Sequence, residues 1–240
     1  MSRRLLFFSL LAVAAAAVCV ALGVWQLGRL GERRARNAVV AARLALPPVA
    51  ALGALPADTA AARFRRVRLT GRYDYAHEIA IAGRTRDGSP GVNIVTPLRL
   101  ADTAVAVLVN RGWVYSPNSA QVELPRWREG EGERTLEGFV NTIAARPGNP
   151  RTSAPRTVRW IDAGALAREA GYPVTPFTVI LQGDAAAPGT PRADSTPARL
   201  DVPPLDEGPH LSYAVQWFSF AVIALGGLGV VLVGERGRRR

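Results

Sequence analysis

Leu211-Ser212-Tyr213-Ala214-Val215-Gln216-Trp217-Phe218 opens an apolar run that continues to Val233 without a charged residue. Its 23 residues (211–233) make ~34 Å of helix at ~1.5 Å each, enough to cross a hydrocarbon core of ~30 Å. His210 stands at the mouth of this run. His210, Tyr213 and Trp217 fall at i, i+3 and i+7, so they share one helix face. An ionisable, ligand-capable side chain in that place marks a candidate site.

Two readings of His210 meet here. In one it anchors the helix at the interface, with Tyr213 and Trp217 in an aromatic belt. In the other it is an axial ligand of a haem iron, and the aromatics pack on the macrocycle. Pro209 suits the first helical position. The positive end of the helix dipole disfavours imidazolium there, although Asp206 and Glu207 oppose that effect. Gln216, one residue off the face, is placed to hydrogen-bond a neighbouring helix or a ligand.

A second apolar run, residues 5–27, follows a short basic start. It exceeds the ~7–15 residues of a signal-peptide core, and Ala15, Cys19 and Gly23 form a small-xxx-small ridge for helix packing. A retained anchor is therefore expected rather than a cleaved leader. Arg236, Arg238, Arg239 and Arg240 follow the last span, whereas Asp201, Asp206 and Glu207 precede it. Positive charge marks the cytoplasmic side, so both termini are expected there and the intervening chain outside. Trp25 and Arg29, at the end of the first span, then fall near His210.

The net charge of +11 raises nucleic-acid binding as a thought. All 30 basic residues are Arg, no nucleic-acid-binding motif is present, and many arginines flank the spans as membrane anchors. No nucleic acid is expected as a partner; the lipid bilayer is. Cys19 is the one cysteine, which excludes an internal disulfide and Cys-based zinc or iron–sulfur sites. Two His and one Met argue against a soft-metal carrier.

Between the spans the period changes. Gly31 to Leu46 reads as a membrane-proximal helix stopped by Pro47-Pro48. Residues 49–62 carry little pattern. From Phe64 onward Val67, Leu69, Gly71 and Tyr73 alternate with polar residues, the mark of a half-buried strand. Further strands are expected over 77–82, 92–98, 104–114, 134–143, 157–161 and 175–182. Asp162 and Gly171 bracket a short helix. Short strands separated by turn residues give a β-rich domain, with a barrel among the architectures the pattern allows. The expected division is a cytoplasmic start (1–4), a transmembrane helix (5–27), an external β-rich domain (28–183), a Pro/Ala-rich linker (184–209), a second transmembrane helix (210–233) and a basic cytoplasmic tail (234–240). The fold class is thus membrane α + β.

Enzymatic motifs are missing: no phosphate loop, no G-x-S-x-G and no H-E-x-x-H. His77 reads as an edge-strand histidine. Arg111, beside Gly112-Trp113, reads either as a surface charge or as the partner of a carboxylate such as a haem propionate.

Four segments in order carry a resemblance: Gly23-Val24-Trp25-Gln26-Leu27-Gly28-Arg29, Gly71-Arg72-Tyr73-Asp74, Asn110-Arg111-Gly112-Trp113-Val114, and the stretch from His210 to Phe218. Together they resemble the Surfeit locus protein 1 family, the Shy1-like cytochrome oxidase assembly factors. The resemblance implies a non-enzymatic factor of the bacterial plasma membrane. It implies transient binding of haem a, with His210 on the iron, and delivery of that haem to oxidase subunit I. Haem a synthase is a further candidate partner. Tyr213, Trp217, Trp25, Arg29 and Arg111 complete the candidate haem-contacting set. The alternative is a scaffold that stabilises an oxidase assembly intermediate without touching cofactor. Residues 49–62 and 184–209 carry no family pattern.

Overall fold

Strand β1, Arg66–Tyr73, is the alternation made visible: Val67, Leu69, Gly71 and Tyr73 are buried, while Arg68, Thr70 and Arg72 face water. The computed structural model describes residues 3–144, 146–184 and 196–238. They fall into two units, one made of residues 42–203 and the other of residues 1–41 with 204–240.

The first unit is built on β1, β2 (Ile79–Arg86), β3 (Ser89–Leu100), β4 (Ala106–Tyr115), β5 (Arg134–Thr142), β6 (Thr157–Val158) and β7 (Val174–Asp184). The sheet runs β1-β5-β7-β4-β3-β2-β6, and β1 also pairs with β3, so β1, β5, β7, β4 and β3 close a five-stranded barrel. Closure occurs where Gly71 pairs with Leu100; a Cβ on Gly71 would sit 2.3 Å from the Arg99 carbonyl oxygen, so only glycine admits the seam. The barrel leaves no free edge along those strands.

Alternate residues fill the interior: Leu98 of β3, Val107 and Val109 of β4, Val140 of β5, Val179 and Leu181 of β7. The segment after Pro48 is not patternless in three dimensions. Val49 bridges to Val67, and Val49, Leu52 and Leu55 pack against this core. Helix α2 (Thr59–Ala62) is capped by Asp58, whose carboxylate accepts from the amides of Ala60 and Ala61. The opposite sheet face carries a second core, where Ile79, Ile81, Val95 and Leu108 meet Leu166 of α3 (Ala163–Ala170). Asp162 caps that helix and Gly171 ends it in the left-handed conformation, as the sequence predicts.

Two expectations change here. His77 is not in a strand; it closes a 3-10 turn, Tyr75–His77, and β2 begins at Ile79. Its Nδ1 lies 2.8 Å from Asp74 Oδ2, and Tyr172 Oη donates to the same carboxylate oxygen. The predicted linker is partly a barrel element. Ala198 exchanges backbone hydrogen bonds with Trp113, Arg86 donates to the Arg199 carbonyl, and Gln182 donates to the Leu200 carbonyl. Its residues 185–195 lie outside the described residues.

The second unit holds two helices, both long and apolar enough to cross a membrane: α1 (Arg3–Ala45) and α4 (His210–Gly237). α1 runs unbroken through Gly28 and Gly31, so the predicted anchor and membrane-proximal helix are one element. Most of its apolar surface is exposed, as is that of α4. Ser9 and Ser219 turn their hydroxyls back to the carbonyls of Leu5 and Val215, which satisfies them without water. The buried stripe is Ala16, Gly23, Gln26 and Leu30 on α1 with Ala214 and Ala221 on α4. The predicted ridge was Ala15, Cys19 and Gly23. Ala15 is exposed, because the two helices meet at a seven-residue spacing rather than a four-residue one.

Candidate functional site at the mouth of the last helix

His210 is the first residue of α4, and Pro209 supplies its N-cap. Its ring is half-buried, with Nδ1 2.9 Å from Oε1 of Gln26. Gln26 is itself 9% exposed, a polar residue buried on an otherwise apolar stripe. Its amide oxygen is an acceptor only, so Nδ1 carries the proton. In the neutral ring the lone pair then resides on Nε2. A metal-binding imidazole is commonly oriented in this way, with a second group fixing the tautomer.

Three turns of contact hold the two helices in this register. A Cβ on Gly23 would come within 2.6 Å of the Phe218 ring, so the ring lies directly over the glycine. Beyond the histidine, Arg34 makes a bidentate pair with Glu207 (2.7 and 2.8 Å), Arg33 reaches Asp206, and Asn37 donates to the carbonyls of Leu205 and Asp206. The pair with Arg34 holds the Glu207 carboxyl below its ordinary range. The acids before α4 are therefore spent on α1 rather than left facing His210.

The other candidate residues divide. Tyr213 is exposed, and Trp217 stacks edge-on against Phe220. Trp25 is exposed on α1 one residue before Gln26. Arg29 pairs with Glu32 at 2.5 Å, and its side chain stays 43% exposed. Sequence reasoning assigned Gln216 a possible bridging part; it is exposed, and Gln26 holds that part instead. The signal was available, since Gln26 is the polar interruption of an apolar run, but a contact across 184 positions has no local signature.

Arg111 is not a surface charge. It is fully buried in the barrel unit, with NH1 facing Glu78 at 3.6 Å and NH2 facing Glu129 at 3.3 Å. NH2 also donates to the Trp127 carbonyl. Arg128 and Arg199 brace the two glutamates from outside, Arg199 with two bonds of 3.1 Å to Glu129. Tyr73 and Tyr75 lie beside the Arg111 guanidinium at 5.2 and 5.4 Å. Burial raises the Glu129 carboxyl, but Arg199 and Arg111 together outweigh it and hold the group below its ordinary range. Both terminal nitrogens of Arg111 are engaged; its Nε has no partner among the described residues, but the whole side chain is buried away from the surface. The sequence missed this cluster because an isolated Arg is ordinarily exposed.

Among the described residues no group of three His, Cys, Asp or Glu is arranged to hold a bare metal ion. A single imidazole with a fixed tautomer fits a metal that brings its own equatorial ligands, as a porphyrin does.

Residues 13–222 match the model of the SURF1 family. A SURF1-like protein of Monosiga brevicollis is 30% identical over 92% of this chain and 85% of its own length. An uncharacterized SURF1-like protein of Mycobacterium tuberculosis is 28% identical over 98% of this chain and 86% of its own. Human Surfeit locus protein 1 is 27% identical over 83% and 69%. The match takes in all four motifs, the whole barrel and the opening of α4, and on that ground the chain belongs to the SURF1 family.

Proposed function

We propose that this protein is a non-enzymatic assembly factor for a haem-copper cytochrome oxidase, which holds haem a transiently and passes it to subunit I. The observation that carries this reading is the His210–Gln26 pair. It presents an imidazole with one nitrogen oriented and the other without a hydrogen-bond partner among the described residues, at the mouth of an apolar helix. His210 Nε2 is the iron ligand. Trp25, Tyr213 and Trp217 supply aromatic surface for the macrocycle, and Arg29, at the exposed end, supplies charge for a propionate. One protein ligand suits a carrier, since release requires weaker binding than the recipient offers.

The protein resides in the bacterial plasma membrane with both termini cytoplasmic and the barrel outside. The basic residues after α4 support that orientation. A phosphatase reporter fused after Arg240 is expected to be inactive, and one near Gly88 active; the reverse pattern inverts the topology.

The haem reading is tested by co-expressing the chain with the enzymes of haem a synthesis and recording reduced-minus-oxidised spectra. His210→Ala is expected to lose the haem signal, and full haem content in that variant rejects the assignment. A second reading, a cofactor-free scaffold for subunit I, draws on the same hydrogen bond, because a His–Gln pair also pins two helices. Protein that stays colourless under haem-replete conditions yet co-purifies with subunit I favours the scaffold.

A further inference from the structure

On the outer face of the barrel unit a polar recess of about 270 Å³ opens over five neighbouring strands, β2, β3, β4, β7 and β5. Its floor includes Asn93 and Asn110, which are 8% and 6% exposed. The Asn110 amide oxygen accepts from the Gly112 N–H, and its NH2 group has no partner among the described residues. The Asn93 amide oxygen is buried with no hydrogen-bond partner among the described residues. A buried polar atom left unanswered costs about 1–3 kcal/mol, so a native one asks for a ligand or a bound water.

The walls carry two guanidinium groups and, among the described residues, no carboxylate. Arg84 and Arg146 both line the recess, and neither makes an ion pair among the described residues. The irregularity in β2 between Ile81 and Arg84 turns Arg84 towards this face. Desolvation by surrounding protein pushes the Arg84 guanidinium below its ordinary value, and the Arg146 charge adds to that shift. Like charges gathered without a counter-charge are an unfavourable arrangement that an anion would relieve. Trp160 and Ile180 give the recess an apolar flank, so its occupant has a body as well as a charge.

We infer that this recess binds a phosphate group carried on a small molecule, with Arg84, Arg146 and the Asn110 NH2 group as donors and the Asn93 oxygen as acceptor. Two guanidinium forks and an amide approach from different sides, which suits a tetrahedral anion with several oxygens. The Asn93 oxygen needs a donor. A phosphomonoester has its second pKa near ~6, so it offers a P–O–H in its monoanion, which sulfate does not.

The test is isothermal titration of the purified full chain with inorganic phosphate and with glycerol 3-phosphate, at ionic strength matched with chloride, and with sulfate as the isosteric comparison. Expected is saturable binding of phosphate, tighter for glycerol 3-phosphate if the apolar flank holds a carbon body and equal if free phosphate is the natural occupant. Sulfate is expected to bind more weakly than either. Arg84→Gln and Arg146→Gln, both at exposed positions that leave folding intact, are each expected to weaken binding about 10- to 100-fold. No saturable binding above the chloride background, or unchanged binding in the doubly substituted protein, overturns the assignment. Sulfate binding as tight as phosphate overturns the part given to Asn93.

Discussion

His210 Nδ1 lies 2.9 Å from Gln26 Oε1, so the histidine of the last helix is oriented by the first. The hydrogen bond joins two positions that are far apart in sequence, and it couples helix pairing to the state of the imidazole. A change that shifts α4 against α1 therefore changes what Nε2 presents, even if His210 itself is kept.

Gln26→Leu removes the acceptor but preserves side-chain bulk on the buried stripe. Loss of such an orienting partner costs about 10- to 100-fold in metal affinity at comparable sites. Haem titration of the variant in detergent should show that weakening with an unchanged Soret position, because the ligand itself is intact. Equal affinity would mean that the pair serves helix packing alone.

Arg111→Met tests the opposite kind of role. Removing one partner of a buried ion pair costs about 3–5 kcal/mol, since the remaining charges are left in low dielectric. Glu129 keeps Arg199 and Glu78 keeps Arg128, which places the expected loss at the lower end of that range. Denaturant unfolding followed by near-UV circular dichroism reads it. Haem content per folded molecule should stay unchanged; a fall in haem content at wild-type stability would return Arg111 to the ligand set.

Two carboxyls set the acid limit of the barrel. Burial raises Asp74, yet its bonds from Tyr172 and His77 outweigh that and lower it; Glu129 is lowered in the same manner by Arg199 and Arg111. A depressed folded-state pKa gives stability that is fully present above the unfolded value and is lost as pH falls through the folded one. Unfolded Asp and Glu titrate near ~3.9 and ~4.3, so the loss should begin as pH approaches ~4 and continue below it. Thermal unfolding of the wild type from pH 7 to pH 3 measures the slope. Glu129→Gln should start less stable at pH 7 and show a shallower decline; a parallel decline would remove Glu129 from the account.

Much of this architecture was legible because it is periodic. Val67, Leu69 and Tyr73 declare a strand by alternation, Asp162 and Gly171 declare the ends of a helix, and the run after His210 declares its length. What was not legible is non-local. The seam between Gly71 and Leu100 follows from the return of β3 past β1, and nothing near Gly71 announces it. Arg111 looked like a surface residue because its compensating charges, Glu78 and Glu129, arrive from segments 33 positions before it and 18 after it. Ala198 and Arg199 looked like linker because Pro-rich sequence with no period can still dock, Ala198 by backbone hydrogen bonds with Trp113 and Arg199 by its guanidinium on the Arg111 carbonyl. At the candidate site the sequence singled out His210 but not its hydrogen-bond partner Gln26, for the same reason.

Gly112 is where the docked segment and the buried cluster depend on one residue. Its φ of +133° lies in a region that side chains avoid, and a Cβ there would stand 2.4 Å from the Ala198 carbonyl oxygen. Gly112→Ala must therefore strain the backbone, at about 1–3 kcal/mol, and also push residues 197–198 off β4. Arg199 follows immediately, and it braces both the Arg111 carbonyl and the Glu129 carboxylate. The expected result is a barrel that still folds, since its interior core contains none of these contacts, but whose segment 196–203 becomes open to protease. Limited proteolysis with mapped cleavage sites reads this directly: trypsin should cut the variant after Arg199 at concentrations that leave the wild type intact there. Glu129→Gln, which keeps Gly112, the Arg199 cleavage site and the backbone bridge at Ala198 but loses the ion pair of the brace, should reproduce part of the loss of stability without the new cleavage. If Gly112→Ala shows the wild-type digestion pattern, the segment is held by something other than the Trp113–Ala198 bridge.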